Sequence, residues 1–279
     1  MSWEYEEDDL LDLIGELELA DADGWLVSCL FELAVTLLAD ADELHSEVGV
    51  AIASAIRVLW QSTGDLNEAL DNAVTQLSDL ARVAAWLRTA AEFAMDGITR
   101  AWPSSPAQRS ARELALAACH VRLDNIVRAE AHVEAAVDAG ATDAVAYLAL
   151  GCLRYRRAVT EFGPAEMLDN RSLLRFQLAC LRAVSALEQG LGGDLDAHLY
   201  WWIATALEPA GFDEAAAEAW RRYEAAEEED YGDGEEAEEE TAEQSLPQIS
   251  PDEERRVAEA LKDPRTLQWL LGGADESPE

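Results

Sequence analysis

Cys119 and His120 stand side by side, and a thiol next to an imidazole first suggests a nucleophile with its base. Neighbours on a helix point about 100° apart and do not face each other, so the pair reads as a buried cysteine beside a partly exposed histidine. His45, His132 and His198 show no HExxH motif and no paired Cys/His ligand spacing, so no metal motif is visible and no cofactor is expected. Phosphate, dinucleotide and nucleophile-elbow signatures are missing as well. GLGGD at 190–194 is rich in glycine but follows no strand pattern, so it reads as a loop between helices. YGDGEE at 231–236 lacks the spacing of a calcium loop and reads as solvated acid. These absences point away from an enzyme.

Arginine offers a different chemistry. Arg112, Arg122, Arg154, Arg156 and Arg157 put basic side chains into an acidic chain, and guanidinium forks suit carboxylates. They could hold an acidic peptide, the chain's own tail included, or simply pair with neighbouring surface acids.

The elements that would position these residues are set by charge and spacing. The net charge is −37, from 57 acids against 20 bases. Residues 1–23 hold ten acids and no base, and residues 224–279 hold twenty acids against four bases. That leaves 27 acids and 16 bases, a net of −11, in residues 24–223. The arms carry most of the acid, and the middle has ordinary charge. Such a chain repels polyanions, which argues against direct nucleic-acid binding and against an anionic membrane surface. Cys29, Cys119, Cys152 and Cys180 form no CxxC pair and read as buried free thiols of a reducing compartment. The most apolar run, WLVSCLFELAVTLLA at 25–39, is interrupted by Glu32 and is too short to span a bilayer. With no basic residue before Arg57 there is no charged region of a secretory signal, and a cytoplasmic location is expected.

Apolar residues recur at spacings of three and four through 25–223, without strand alternation, so the expected fold class is all-α. Breaks are expected at STGD 62–65, WPSSP 102–106, DAGATD 138–143, EFGP 161–164, GLGGD 190–194 and EPAG 208–211. The pieces between them mostly run 12 to 25 residues, a length that suits antiparallel helix pairs.

Several pieces resemble one another. GDLNEAL at 64–70 and AGFDEAAAEAW at 210–220 resemble the turn between the two helices of a tetratricopeptide repeat. YLALG at 147–151, followed by Tyr155, is similar to that repeat's first helix. RAEAHVEAAV at 128–137 is similar to its second, with Ala129, Val133 and Ala136 at packing positions, and Ala179, Ala183 and Ala186 fit another second helix. The resemblance covers about 50–225 in some four degenerate units and implies an α-solenoid of antiparallel helix pairs. The equivalent alanines Ala69, Ala129, Ala179 and Ala215 are 60, 50 and 36 residues apart, so the period is irregular, and a non-repeating helical bundle is the alternative. The resemblance further implies a concave groove lined by first helices, with Leu148, Cys152, Tyr155 and Arg156 on or near it and Tyr200 and Ala204 in the last repeat. It does not extend to the carboxylate-clamp subtype, which has lysine and asparagine where Leu148 and Cys152 stand. The YWW run at 200–202 spans most of a helix circumference, so two of its rings are expected in the core and one outside.

The division expected along the chain is an acidic arm at 1–23, a helical body at 24–223, a disordered acidic linker at 224–249, a helical element at 250–273 and a tail at 274–279. The last body helix, with Phe212, Ala216, Ala219 and Tyr223 on one face, is expected to end or fray just after Tyr223. The element at 250–273 has a serine cap and then RTLQWLL, whose Trp269 and Leu270 would dock on the chain's own body or on a partner, or stay disordered. The functional expectation is a non-catalytic protein–protein interaction scaffold or adaptor that binds a peptide or helix. Its alternative is an acidic inhibitor, immunity factor or chaperone that masks a partner's basic surface.

Overall fold

Helices meet the three-and-four spacing throughout, and no strand occurs among the residues that the computed structural model describes, namely Glu7, Leu10, Leu11, 24–71, 77–193 and 195–231. In chain order they are α1 (Gly24–Asp40), α2 (Glu47–Asp71), α3 (Leu77–Arg100), α4 (Pro106–Arg122), α5 (Ile126–Asp138), α6 (Ala144–Phe162), α7 (Asn170–Leu187), α8 (Asp196–Leu207) and α9 (Asp213–Tyr231). Two compact units result, Met1–Leu153 and Arg154–Glu279, with their boundary inside α6.

In the first unit, α4 is the central helix. It packs on α1, α3 and α5 and touches α2. Ala111, Ala115, Ala117 and Ala118 are all buried, as are Leu114, Leu116 and Val121, so α4 is covered over nearly its whole circumference. Alanine makes this possible, because a side chain of one carbon lets several helices approach one axis. Helix α1 packs on α4; its Val27, Leu30, Phe31, Ala34 and Leu38 are buried, and Trp25, Cys29, Glu32 and Thr36 lie nearer the surface. Helices α2 and α3 pack on each other, as do α4 and α5. Ala129, Val133 and Ala136 are the buried face of α5, at the positions the sequence indicates.

Helix ends follow local chemistry. Ser105 accepts a hydrogen bond from the Gln108 amide at 3.1 Å and Pro106 takes the first turn of α4, where its missing N–H is not needed. The α4–α5 turn was not among the breaks read from the sequence. There Asp124 adopts φ 54°, a left-handed value that aspartate tolerates, and Asn125 caps α5 by accepting from the Arg128 amide. The link between α1 and α2, with Asp42 at φ 56°, was not foreseen either.

One expected break is absent. Helix α2 runs unbroken through Ser62, Thr63, Gly64 and Asp65 to Asp71, so 64–70 is helix interior and not a turn between helices. Ser62 Oγ donates to the Val58 carbonyl at 2.9 Å, which satisfies the hydroxyl inside the helix. A lone interior glycine costs only about 1 kcal/mol against alanine.

In the second unit, α7 packs on α8 and α8 on α9. Phe176, Leu199, Ile203, Leu207, Phe212 and Ala219 are core residues. Phe162 meets Phe176 edge-on at 6.2 Å, and Gln177 Nε2 donates to the Ala210 carbonyl at 2.7 Å, which ties α7 to the α8–α9 turn. Gly211, at φ 76°, supplies that turn with a backbone conformation alanine would resist. Helix α9 continues to Tyr231, eight residues past Tyr223 and into the segment expected as linker from 224. Alanine and glutamate are good helix formers, so the helix outlasts its buried face.

Candidate functional site

Among the described residues of the first unit, a polar constellation with acid–base character lies on α4 and α5. Glu113 and His120 are seven residues apart on α4, about two turns, and so share a face; His132 meets them from α5. Glu113 Oε2 lies 2.7 Å from His132 Nδ1, and its Oε1 accepts from Arg112 Nη1 at 3.2 Å. A carboxylate there favours the proton on Nδ1 and leaves Nε2 of His132 as an acceptor. The His132 ring stacks on that of His120, with centroids 5.1 Å apart and planes 12° from parallel.

His120 is only 4% exposed, where a partly exposed ring was expected, and its Nδ1 has no hydrogen-bond partner. Burial, with help from the neighbouring His132 and Arg128, pushes its pKa down to about 4, so it stays neutral. Cys119 beside it is buried, and that burial raises its thiol to about 12. A thiol held protonated has no nucleophilic form to offer. Among the described residues no group of three His, Cys, Asp or Glu side chains is placed to hold a metal ion. The constellation joins α4 to α5 through the Glu113–His132 contact.

The residues expected along a groove are placed differently. Leu148, Cys152, Tyr200 and Ala204 are buried, so none presents a side chain to a partner. Burial, then the nearby Cys29 of α1, raises the Cys152 thiol. The resemblance placed these residues along a groove, but Leu148, Cys152, Tyr200 and Ala204 are core. Tyr155 is half-buried and packs edge-on against Trp202 at 6.3 Å, with its hydroxyl pKa raised by burial. Tyr200 lies under the Arg222 guanidinium at 5.7 Å, and Arg222 also pairs with Glu218. Of the YWW run, Tyr200 is buried and Trp201 exposed, while Trp202, where a second core ring was expected, is half-buried. Trp269 and Leu270 lie outside the described residues.

The arginines are not a free basic surface. Arg112 donates through Nε to the Ile98 carbonyl at 3.3 Å and through Nη2 to the Thr99 carbonyl at 3.0 Å, so it caps the C-terminus of α3. Arg154 donates to the Arg182 carbonyl, and Arg157 approaches Glu161 of its own helix at 4.0 Å. Arg122 and Arg156 are half-buried and engaged in further interactions.

The exposure of Phe93 and Trp102 was not foreseen. Phe93 on α3 is 65% exposed, and Trp102, just past its end, is 79% exposed. The only sequence signal for Trp102 was its place in WPSSP, a turn where no helical face can bury it. Compared with known proteins, the chain matches no family model, no curated protein and no solved structure. No described helix is long and apolar enough to cross a membrane.

Proposed function

We propose that the chain is a non-catalytic protein–protein interaction scaffold, built as a tetratricopeptide-like α-solenoid of antiparallel helix pairs. One observation carries the reading: helices adjacent in sequence, α2 with α3, α4 with α5 and α8 with α9, pack as pairs across short connections. The paired helices carry buried alanines, Ala129 and Ala136 in α5, and Ala215 and Ala219 in α9. Such pairs stack into arrays whose work is done by extended surface. The reading stands on architecture, so it is an argument by analogy. The non-repeating bundle is its architectural rival and leaves the interaction role unchanged.

A second reading is favoured by the acid: ten acidic residues in 1–23 and twenty in 224–279 suit an inhibitor, immunity factor or chaperone that covers a basic surface. The two readings separate by salt. With the full chain as bait, a scaffold holds its partner at about 0.5 M salt as well as at about 0.05 M, because apolar contacts are not screened. A masking protein loses its partner between those concentrations. Capture of no protein under either condition would sink both readings.

A further inference from the structure

We propose that the chain's own C-terminal segment 267–271 docks on an aromatic seam where α6 meets α8. The inference concerns this chain alone, so it stands apart from the scaffold reading.

The seam is continuous because its rings touch in series. Tyr155 of α6 meets Trp202 of α8 edge-on at 6.3 Å, and Trp202 meets Trp201 at 4.8 Å. Val159 follows Tyr155 by four residues, one turn further along the same face of α6. All four belong to the second unit. Trp201 is 38% exposed and Val159 41%, while Tyr155 and Trp202 are half-buried. Each side chain thus keeps apolar area in water beside another that does the same. Contiguous area of this kind is what docking surfaces are made of, where singly exposed residues are not.

Composition selects the occupant. Residues 232–279 contain eight large apolar side chains, and four of them, Leu267, Trp269, Leu270 and Leu271, fall within five positions that hold no charge. That cluster can cover uncharged rings. The acidic run at 233–243 cannot, since its carboxylates would lose water and gain no partner there.

Reach allows the contact. Arg222 Nη1 of α9 donates to the Tyr200 hydroxyl at 3.4 Å, so α9 passes α8 beside the residue that precedes Trp201. Helix α9 ends at Tyr231, nine residues later, about 14 Å further along its axis. From there 35 residues, 232–266, precede Leu267. A flexible chain of that length spans roughly 30–35 Å, more than the return to Trp201 requires. Such a tether holds the segment at an effective concentration on the order of millimolar, which a partner or a second copy in dilute solution does not match.

The test is hydroxyl-radical footprinting of the purified full chain, read at single tryptophans by mass spectrometry. Trp269 should oxidise about threefold or more slowly in the wild type than in urea, as a docked population of about two-thirds or above requires. Trp201→Ala with Val159→Ser should raise Trp269 to its rate in urea. Reciprocally, Trp269→Ala with Leu270→Ala should speed the oxidation of Trp201. Trp102, which belongs to the other unit, should react equally in every protein. The first two residues are exposed and the second two lie beyond α9, so both variants should keep the melting temperature. If the first melts early, the second decides by itself. Full exposure of Trp269 in the purified wild type overturns the proposal and leaves the segment to a partner. Protection that survives Trp201→Ala with Val159→Ser also overturns it, because the segment then docks elsewhere. Protection lost on dilution overturns it in favour of a second copy.

Discussion

The rings of His120 and His132 lie 5.1 Å apart and 12° from parallel, one buried without a partner at Nδ1 and the other held by Glu113. A neutral His120 is what this packing accepts. Its pKa falls from 6.5 to about 4 on folding, so above pH 6.5 neither state binds the proton and the stability is fully present. Between pH 6.5 and about 4 the unfolded chain takes up a proton that the folded chain refuses. Stability from this group is therefore lost as pH falls, at no more than about 1.4 kcal/mol per unit. His120→Leu should show a shallower loss than wild type between pH 7 and 5 in urea unfolding. Parallel loss in both proteins would show that other groups set the acid sensitivity.

Two glycines should respond to alanine with opposite signs. A Cβ at Gly49, in the first turn of α2, collides with the Leu44 carbonyl, which is backbone and cannot swing aside. Gly49→Ala should cost roughly 1–3 kcal/mol despite the better helix propensity of alanine. Gly97→Ala meets open space and should gain about 0.5–1 kcal/mol. Melting temperatures of the two variants, measured together, check the pair.

Thiol reactivity should be graded by burial. Cys119 and Cys180 are pushed up to about 12 and Cys152 is raised as well, all by desolvation. Cys29 alone of the four is half-buried instead of buried. A chromogenic disulfide reagent at pH 8 should titrate Cys29 first, and the other three only after denaturant is added. Rapid release from a Cys29→Ser variant would contradict the packing of α4, α6 and α7.

Arg112 should matter for stability through its fork. Arg112→Ala strips two carbonyls at the end of α3 of their donor and should cost about 1–2 kcal/mol. Arg112→Lys should recover only part, since an ammonium cannot span both carbonyls as the planar guanidinium does. Thermal unfolding of the three proteins side by side reads the order.

What was legible in the sequence was local. Ala129, Val133 and Ala136 repeat at helical spacing, and the EPAG turn carries its own glycine, so α5 and the α8–α9 turn could be placed from their own residues. STGD misled because turn propensity is a weak prior, and Ser62 found its acceptor within the helix. The burial of Leu148 and Cys152 was not legible, because spacing defines an apolar face but not the helix that covers it. Glu113 and His132 are brought together only by the α4–α5 packing, and nothing in their separate surroundings announces it.

The pairing of α1 with α4 also sets a timetable. Gly24 and Pro106, the first residues of the two helices, are 82 positions apart, with α2 and α3 between them. At roughly 5–20 residues per second of synthesis, α1 leaves the ribosome about 4–16 seconds before its principal neighbour exists. Through that interval Val27, Leu30, Phe31 and Leu38, all buried in the finished fold, have no α4 to cover them. The newborn chain is thus most exposed to aggregation and to chaperone capture over its first hundred residues, before α4 is made.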